Sequence, residues 1–174
     1  MICVKDDAMD VVHLSLEWYG FTGVDEGDAL GRGWLCAVHA DDRAVVDGIL
    51  DGAARNRSGY SMVYRLLHRN GSSIWVSDGA LPSFAPDDHR FIGALGSITE
   101  IGADAHRTSA SGSLGAFHPP PPMPSTLTCV SKDLMADYLL LARSLADQEG
   151  ERAIVEAMDF ALYLTRKRLA RTSH

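Results

Sequence analysis

Tyr60 to Val76 reads YSMVYRLLHRNGSSIWV. Tyr60, Met62, Tyr64 and Leu66 alternate with Ser61, Val63, Arg65 and Leu67, a period of two that sends successive side chains to opposite faces of a strand. Asn70-Gly71 comes next, the strongest short hairpin signal, because a tight reversal needs residues that accept positive φ. A second strand is expected from Ser73 to Ser83 and a third from Arg90 to Ile101. The turn text Ala85-Pro86-Asp87-Asp88-His89 separates them.

Upstream of this antiparallel unit the pattern becomes helical. Asp41-Asp42 supplies carboxylates suited to a helix N-terminus, and Val45, Val46, Ile49 and Leu50 then share one face. Short helices are expected near Leu16 to Phe21 and Gly33 to Val38. The chain opens with ICVK, a turn at Asp6-Asp7 and DVVHLS, a further strand pair. Two strands, short helices, a longer helix and three antiparallel strands make an α+β fold with helices on one face of a sheet.

Periodicity stops at Gly102 and returns at Ser131. Residues 102–130 contain TSASGSLG and a proline run, Pro119 to Pro122 with Pro124, and read as a semi-rigid spacer. Residues 1–101 are expected to fold without the rest of the chain. In 131–174, Leu134, Tyr138, Leu141 and Leu145 recur at helical spacing, and after Gln148-Glu149-Gly150 a second helix sets Val155, Leu162 and Leu169 seven apart. So short a connection implies an antiparallel helical hairpin. With those stripes facing each other, Leu139, Leu140, Phe160 and Leu164 are left over and need another surface. A homodimer through four helices is the expected solution, with the sheet of the N-terminal domain as the alternative. Val63 and Leu67 are apolar where the alternation calls for polar groups. They mark a second interaction surface, for which the hairpin is the available cover.

With 46% hydrophobic and 22% charged residues in 174, the chain has the composition of a folded domain plus an appendage. No run reaches the roughly 18 to 20 apolar residues that cross a bilayer, and MICVKDDAMD has acids where a signal peptide needs a basic flank. A cytoplasmic protein without membrane contact is expected. The net charge of −7 arises in residues 1–101, with 8 Lys and Arg against 15 Asp and Glu, the remainder being balanced. That excess repels phosphate backbones and argues against nucleic-acid binding. The basic run Arg166, Lys167, Arg168 and Arg171 reads as a complement to a helix C-terminus. Cys3, Cys36 and Cys129 lack CxxC spacing, so free thiols and no metal site are expected.

Four stretches resemble the PAS domain family, within it the subclass whose last three strands form the PAC segment. EWYGFTG, from Glu17 to Gly23, is similar to its helix after the second strand, and GWLCAVHADDR, from Gly33 to Arg43, resembles GWL-x-x-VHPDDR. YRLLHRNGSSIWV, from Tyr64 to Val76, resembles its YRL-x-R-x-DG-x-x-RWV hairpin, and FIGALGSITEI, from Phe91 to Ile101, its closing strand. The resemblance covers about residues 2–101. It implies a five-stranded antiparallel sheet with helices over a small internal pocket, serving sensing or protein association in signal transduction. Two departures stand out: Glu100, Ile101 and Gly102 replace the usual Asp-Ile-Thr from which a signalling helix extends, and strand-like text already begins at Ile2, so the opening helix often seen in the family is not expected.

No catalytic residues are expected, since GxSxG, Walker, HExxH and GxGxxG text is absent. The hairpin looks like the phosphoacceptor unit of histidine kinases, yet Ser131 to Ser173 contains no histidine and His174 is the terminal residue, so phosphotransfer through it is not expected. The resemblance implies that His39 in VHADDR packs and caps. Cys36 lacks the GxNCRFLQ-type surroundings of the flavin-binding branch, and Asp41 to Arg57 offers no axial histidine for haem, so neither cofactor is expected. The pocket would be formed by Tyr60, Met62, Tyr64 and Leu66, with Trp18, Trp34, Ile49 and Leu95 as opposing walls. A small-molecule ligand and a filled core both suit such residues. The expected function is a non-catalytic regulator in which a PAS sensory domain acts through its hairpin on a kinase, response regulator or transcription factor. The alternative is a small-ligand sensor whose pocket occupancy controls association.

Overall fold

The computed structural model describes residues 1–102, 108–121 and 123–171. Its sheet is built from β1 (Ile2–Lys5), β2 (Val11–Leu14), β3 (Tyr60–Leu67), β4 (Ser73–Phe84), β5 (Phe91–Glu100) and β6 (Ser111–Leu114), all antiparallel, in the order β2-β1-β5-β4-β3-β6. β3 and β4 pair from Tyr60 opposite Ala80 to Leu67 opposite Ser73. Gly71 takes a φ of 87° in the connection, and Asn70 Oδ1 accepts from the Ser72 amide at 3.0 Å. The hairpin expected from Asn70-Gly71 is present.

Helices α1 (Leu16–Thr22), α2 (Glu26–Ala29) and α3 (Arg43–Asn56), with a 3₁₀ turn at Gly33–Ala37, cover the inner face of the sheet. α3 buries Val46, Leu50 and Ala53, and leaves Val45 exposed. His39 caps the turn before it, its Nδ1 accepting from the Asp41 amide at 3.3 Å. Asp42 has a different task. Its carboxylate is fully buried and accepts from the Arg65 amide (2.9 Å), Arg65 Nε (2.9 Å), Arg65 Nη2 (2.6 Å) and the Ala110 amide (3.3 Å). It ties the start of α3 to β3 rather than capping the helix.

The described residues of the segment expected to be a spacer, 108–121 and 123–130, are part of the fold. β6 pairs along β3, from Tyr60 opposite Leu114 to Val63 opposite Ser111, and so makes a sixth strand that covers what would be an open edge. Phe117 then lies flat on Gly79 of the outer face, where a Cβ would come within 2.2 Å of the ring. Thr126 and Thr128 are buried, and the Met1 ammonium donates to the carbonyls of Ile98 (2.9 Å) and Thr126 (2.5 Å). Pro122 of the proline run, and His174, lie outside the described residues.

Helices α4 (Ser131–Gln148) and α5 (Arg152–Ala170) form the expected antiparallel hairpin, which packs on the outer face of the same sheet. Ala136, Leu140, Leu162 and Leu169 meet Ile2, Val4, Leu81 and Leu95 there. Three expectations are corrected by this packing. Leu140 does not face outward but is fully buried, whereas Tyr138 and Leu145, expected inside, are more than half exposed. The sheet-facing side of α4 carries Asp133, Ala136, Asp137, Leu140 and Ser144, a stripe too polar for hydrophobic periodicity to detect. Leu95 belongs to this outer layer and not to the interior, because the register sets it opposite Val4 and Leu81; β5 is covered on both faces, so its burial does not alternate. Val63 and Leu67 are half-buried on the outer face, but the hairpin packs mainly across β1, β2, β4 and β5 and does not serve as their cover. Beside them Arg65 lies over the Trp75 ring at 5.5 Å.

Among the described residues no helix is long and apolar enough to cross a membrane.

Candidate functional site

The inner faces of β1, β3 and β4 bring five polar side chains into one buried cluster. Cys3 and Lys5 are two apart on β1 and therefore share a face, and Tyr60, Tyr64 and Asp78 reach the same place from β3 and β4. The Lys5 Nζ donates to Tyr60 Oη at 2.7 Å and to Cys3 Sγ at 3.2 Å. Tyr60 Oη donates to Asp78 Oδ1 at 3.0 Å, and Tyr64 Oη to Asp78 Oδ2 at 3.1 Å. Tyr60 thus relays between ammonium and carboxylate. The ammonium also lies 5.2 Å from the centre of the Trp34 ring and 5.3 Å from that of Tyr60, within reach of both π faces.

Burial sets the electrostatics of this cluster. It pushes the Asp78 carboxyl above the ordinary carboxylate range, against Lys5 and the two tyrosine hydroxyls that favour the charged form. It opposes the Lys5 ammonium as well, but the Cys3 sulfur that accepts from Nζ and the nearby Asp78 carboxyl group outweigh it, and the pKa rises above that of an ordinary lysine. Burial raises the Cys3 thiol, and burial with the neighbouring Asp78 carries Tyr60 and Tyr64 well above the usual phenol. The arrangement is a buried charge pair linked through a neutral hydroxyl, and removing one member leaves the other uncompensated.

Around it stand the expected pocket walls. Trp18, Trp34, Tyr60, Met62, Tyr64 and Leu66 are all buried in the inner core, and Ile49 packs against it half-buried. Trp34 and Tyr64 lie 6.1 Å apart, ring to ring. Only Leu95 of the expected set is elsewhere. The indole N–H groups of Trp18 and Trp34 are buried and meet no hydrogen-bond acceptor among the described residues. The pocket expected from the sequence includes none of Lys5, Cys3 and Asp78. An aspartate inside the strand text SIWVSDGALPSF was the available signal, since strands are poor in Asp. Lys5 gave none, because both faces of ICVK are buried.

The cluster is joined to the hairpin through the backbone of β1. While the Lys5 side chain lies inside, its carbonyl accepts from Arg166 Nη2 of α5 at 2.8 Å, and the same nitrogen donates to the Ile92 carbonyl of β5. Arg166 is buried, and burial lowers its pKa against the acids of Asp6 and Asp7. At the other edge His13 Nε2 of β2 pairs with Asp133 Oδ1 of α4 at 3.0 Å. Of the expected interaction residues, Phe160 and Leu164 are exposed, Leu139 is half-buried against the outer core and Leu140 is inside.

Comparison with known proteins agrees with this architecture. The family model described as PAS fold matches residues 11–98. Over 96 residues the chain is 38% identical to an uncharacterized protein of Sinorhizobium fredii, a match that takes in 55% of this chain and only 11% of that protein's length. Among solved structures, the N-terminal domain of a diguanylate cyclase with PAS/PAC sensor from Marinobacter aquaeolei aligns with a TM-score of 0.50 at 17% identity, covering 57% of this chain and 92% of that one. The LOV protein of Rhodobacter sphaeroides aligns with a TM-score of 0.48 at 17% identity, covering 99% and 84%.

Proposed function

Since the chain belongs to the PAS fold family of sensory signalling modules, we propose that it is a non-catalytic regulator whose interior governs how firmly the α4–α5 hairpin is held, and whose hairpin is read by a signalling protein such as a kinase, response regulator or transcription factor. One observation carries this reading: Lys5 belongs to both sides, with its ammonium in the buried cluster and its carbonyl bound to Arg166 of α5. Any change in the charge or hydrogen bonding of the cluster bears on β1, one of the strands that α5 grips. Hydrogen exchange on the full chain tests it. Lys5→Met is expected to speed exchange of α5 amides relative to the parent, together with those of β1. Faster exchange in β1 with α5 unchanged would separate the two and defeat the reading.

A second reading, a small-ligand sensor, is favoured by the two buried indole N–H groups that meet no acceptor among the described residues. A stoichiometric adduct in the native mass spectrum of freshly purified protein supports it, and bare protein counts against it. Flavin and haem do not suit these residues. Cys36 is exposed on its 3₁₀ turn, Cys3 is engaged by Lys5, and α3 carries no histidine.

A further inference from the structure

We propose that the side of the helical hairpin facing away from the sheet binds a second copy of this chain, with the two hairpins face to face and antiparallel. The sheet already occupies Ala136 and Leu140 of α4 and Leu162 and Leu169 of α5, and Ser144 and Thr165 on the same sides are buried. On the remaining surface Met135, Tyr138, Leu145, Phe160 and Leu164 stand between 44% and 56% exposed. Monomers seldom present so many large apolar side chains together. The charges that α4 carries between Leu134 and Leu145 do not interrupt this face: Asp137 is buried, and Arg143 is bound to Asp147 and Asp159.

The ends of the hairpin identify the occupant and its direction. The loop end is acidic, with Asp147, Glu149, Glu151 and Glu156 against Arg152. The open end is basic, where Lys132, Lys167, Arg168 and Arg171 line one shallow surface. A two-fold axis along the helices would set acid on acid and base on base. A two-fold axis across them sets each acidic end on the basic end of the other copy, so the face is complementary to itself in the antiparallel sense alone. This surface does not depend on the interior acting as a sensor, and oligomeric state and hydrogen exchange report on the two separately.

Sedimentation velocity of the full chain at micromolar concentration should give a dimer, and Tyr138→Glu with Leu164→Glu a monomer of unchanged circular dichroism. Glu149→Lys with Glu151→Lys, or Lys167→Glu with Arg171→Glu, should each raise the dimer dissociation constant about tenfold or more, and the four changes together should restore it. The charge variants lie on the exposed surface and read the interface even if the apolar variant misfolds. A monomeric parent, or a dimer indifferent to the apolar pair, overturns the surface. Single-end reversals without effect overturn the antiparallel pairing.

Discussion

Asp42 shows how much one side chain decides. Fully buried, it takes four hydrogen bonds from Arg65 and Ala110, thereby fixing α3 to β3 and the segment before β6 to both. Asp42→Ala removes the counter-charge of a guanidinium and leaves two backbone amides unpaired, a loss of about 3 to 5 kcal/mol that urea denaturation at neutral pH should register. The pH dependence has a definite sign. Burial works against the carboxylate, but Arg65 and the amides outweigh it, and the folded pKa lies below the ordinary value. This stabilisation is therefore complete above the unfolded value of about 3.9 and is lost as pH falls through the lower folded pKa. Asp42→Asn should flatten the acid limb of the stability profile, and an acid limb identical to the parent's would mean that other carboxylates govern it.

At the scale of elements, legibility in the sequence tracked how many faces each element buries. β3 was readable because its inner residues are buried and its outer ones half-exposed, so chemistry and period agree. β5 is covered on both sides, and nothing in FIGALGSITE says that Leu95 points away from the interior. β6 has the sequence SGSL and owes its strand conformation to the free edge of β3, a tertiary cause that no local propensity records. Hydrophobic periodicity puts the wrong side of α4 inside, because Asp133 is made tolerable there by His13 and small Ala136 lets the helix approach the sheet. The same close fit gives a prediction. Gly79→Ala places a methyl group 2.2 Å from Phe117 and forces that ring off the sheet. A loss of about 1 to 3 kcal/mol and new proteolytic cleavage between Phe117 and Thr128 are expected. Unaltered cleavage would show that Phe117 is not what holds the segment.

For the whole molecule the consequence is that one sheet carries two cores. The inner core holds the buried charge cluster, while the outer core joins Ile2, Val4, Leu81 and Leu95 to the hairpin. Residues 1–101 are thus not expected to be self-sufficient, since removing the hairpin leaves four large apolar side chains of the sheet in water. Fully burying such a side chain contributes about 1.5 to 3 kcal/mol, against which the ordering of two helices must be set. Leu140 and Leu164 separate docking from mere helix formation, being 0% and 50% exposed on neighbouring helices. Leu140→Ala should cost about 2 to 5 kcal/mol, through lost transfer energy and the cavity left at the outer core. Leu164→Ala, at an exposed position, should stay within about 0.5 kcal/mol when measured below the concentration at which chains associate. A chain ending at residue 130 should unfold at lower denaturant and bind an apolar dye that the full chain does not. Equal costs for the two leucines, or a shortened chain as stable as the whole, would mean that the hairpin stands free of the sheet and that the interior has no mechanical route to it.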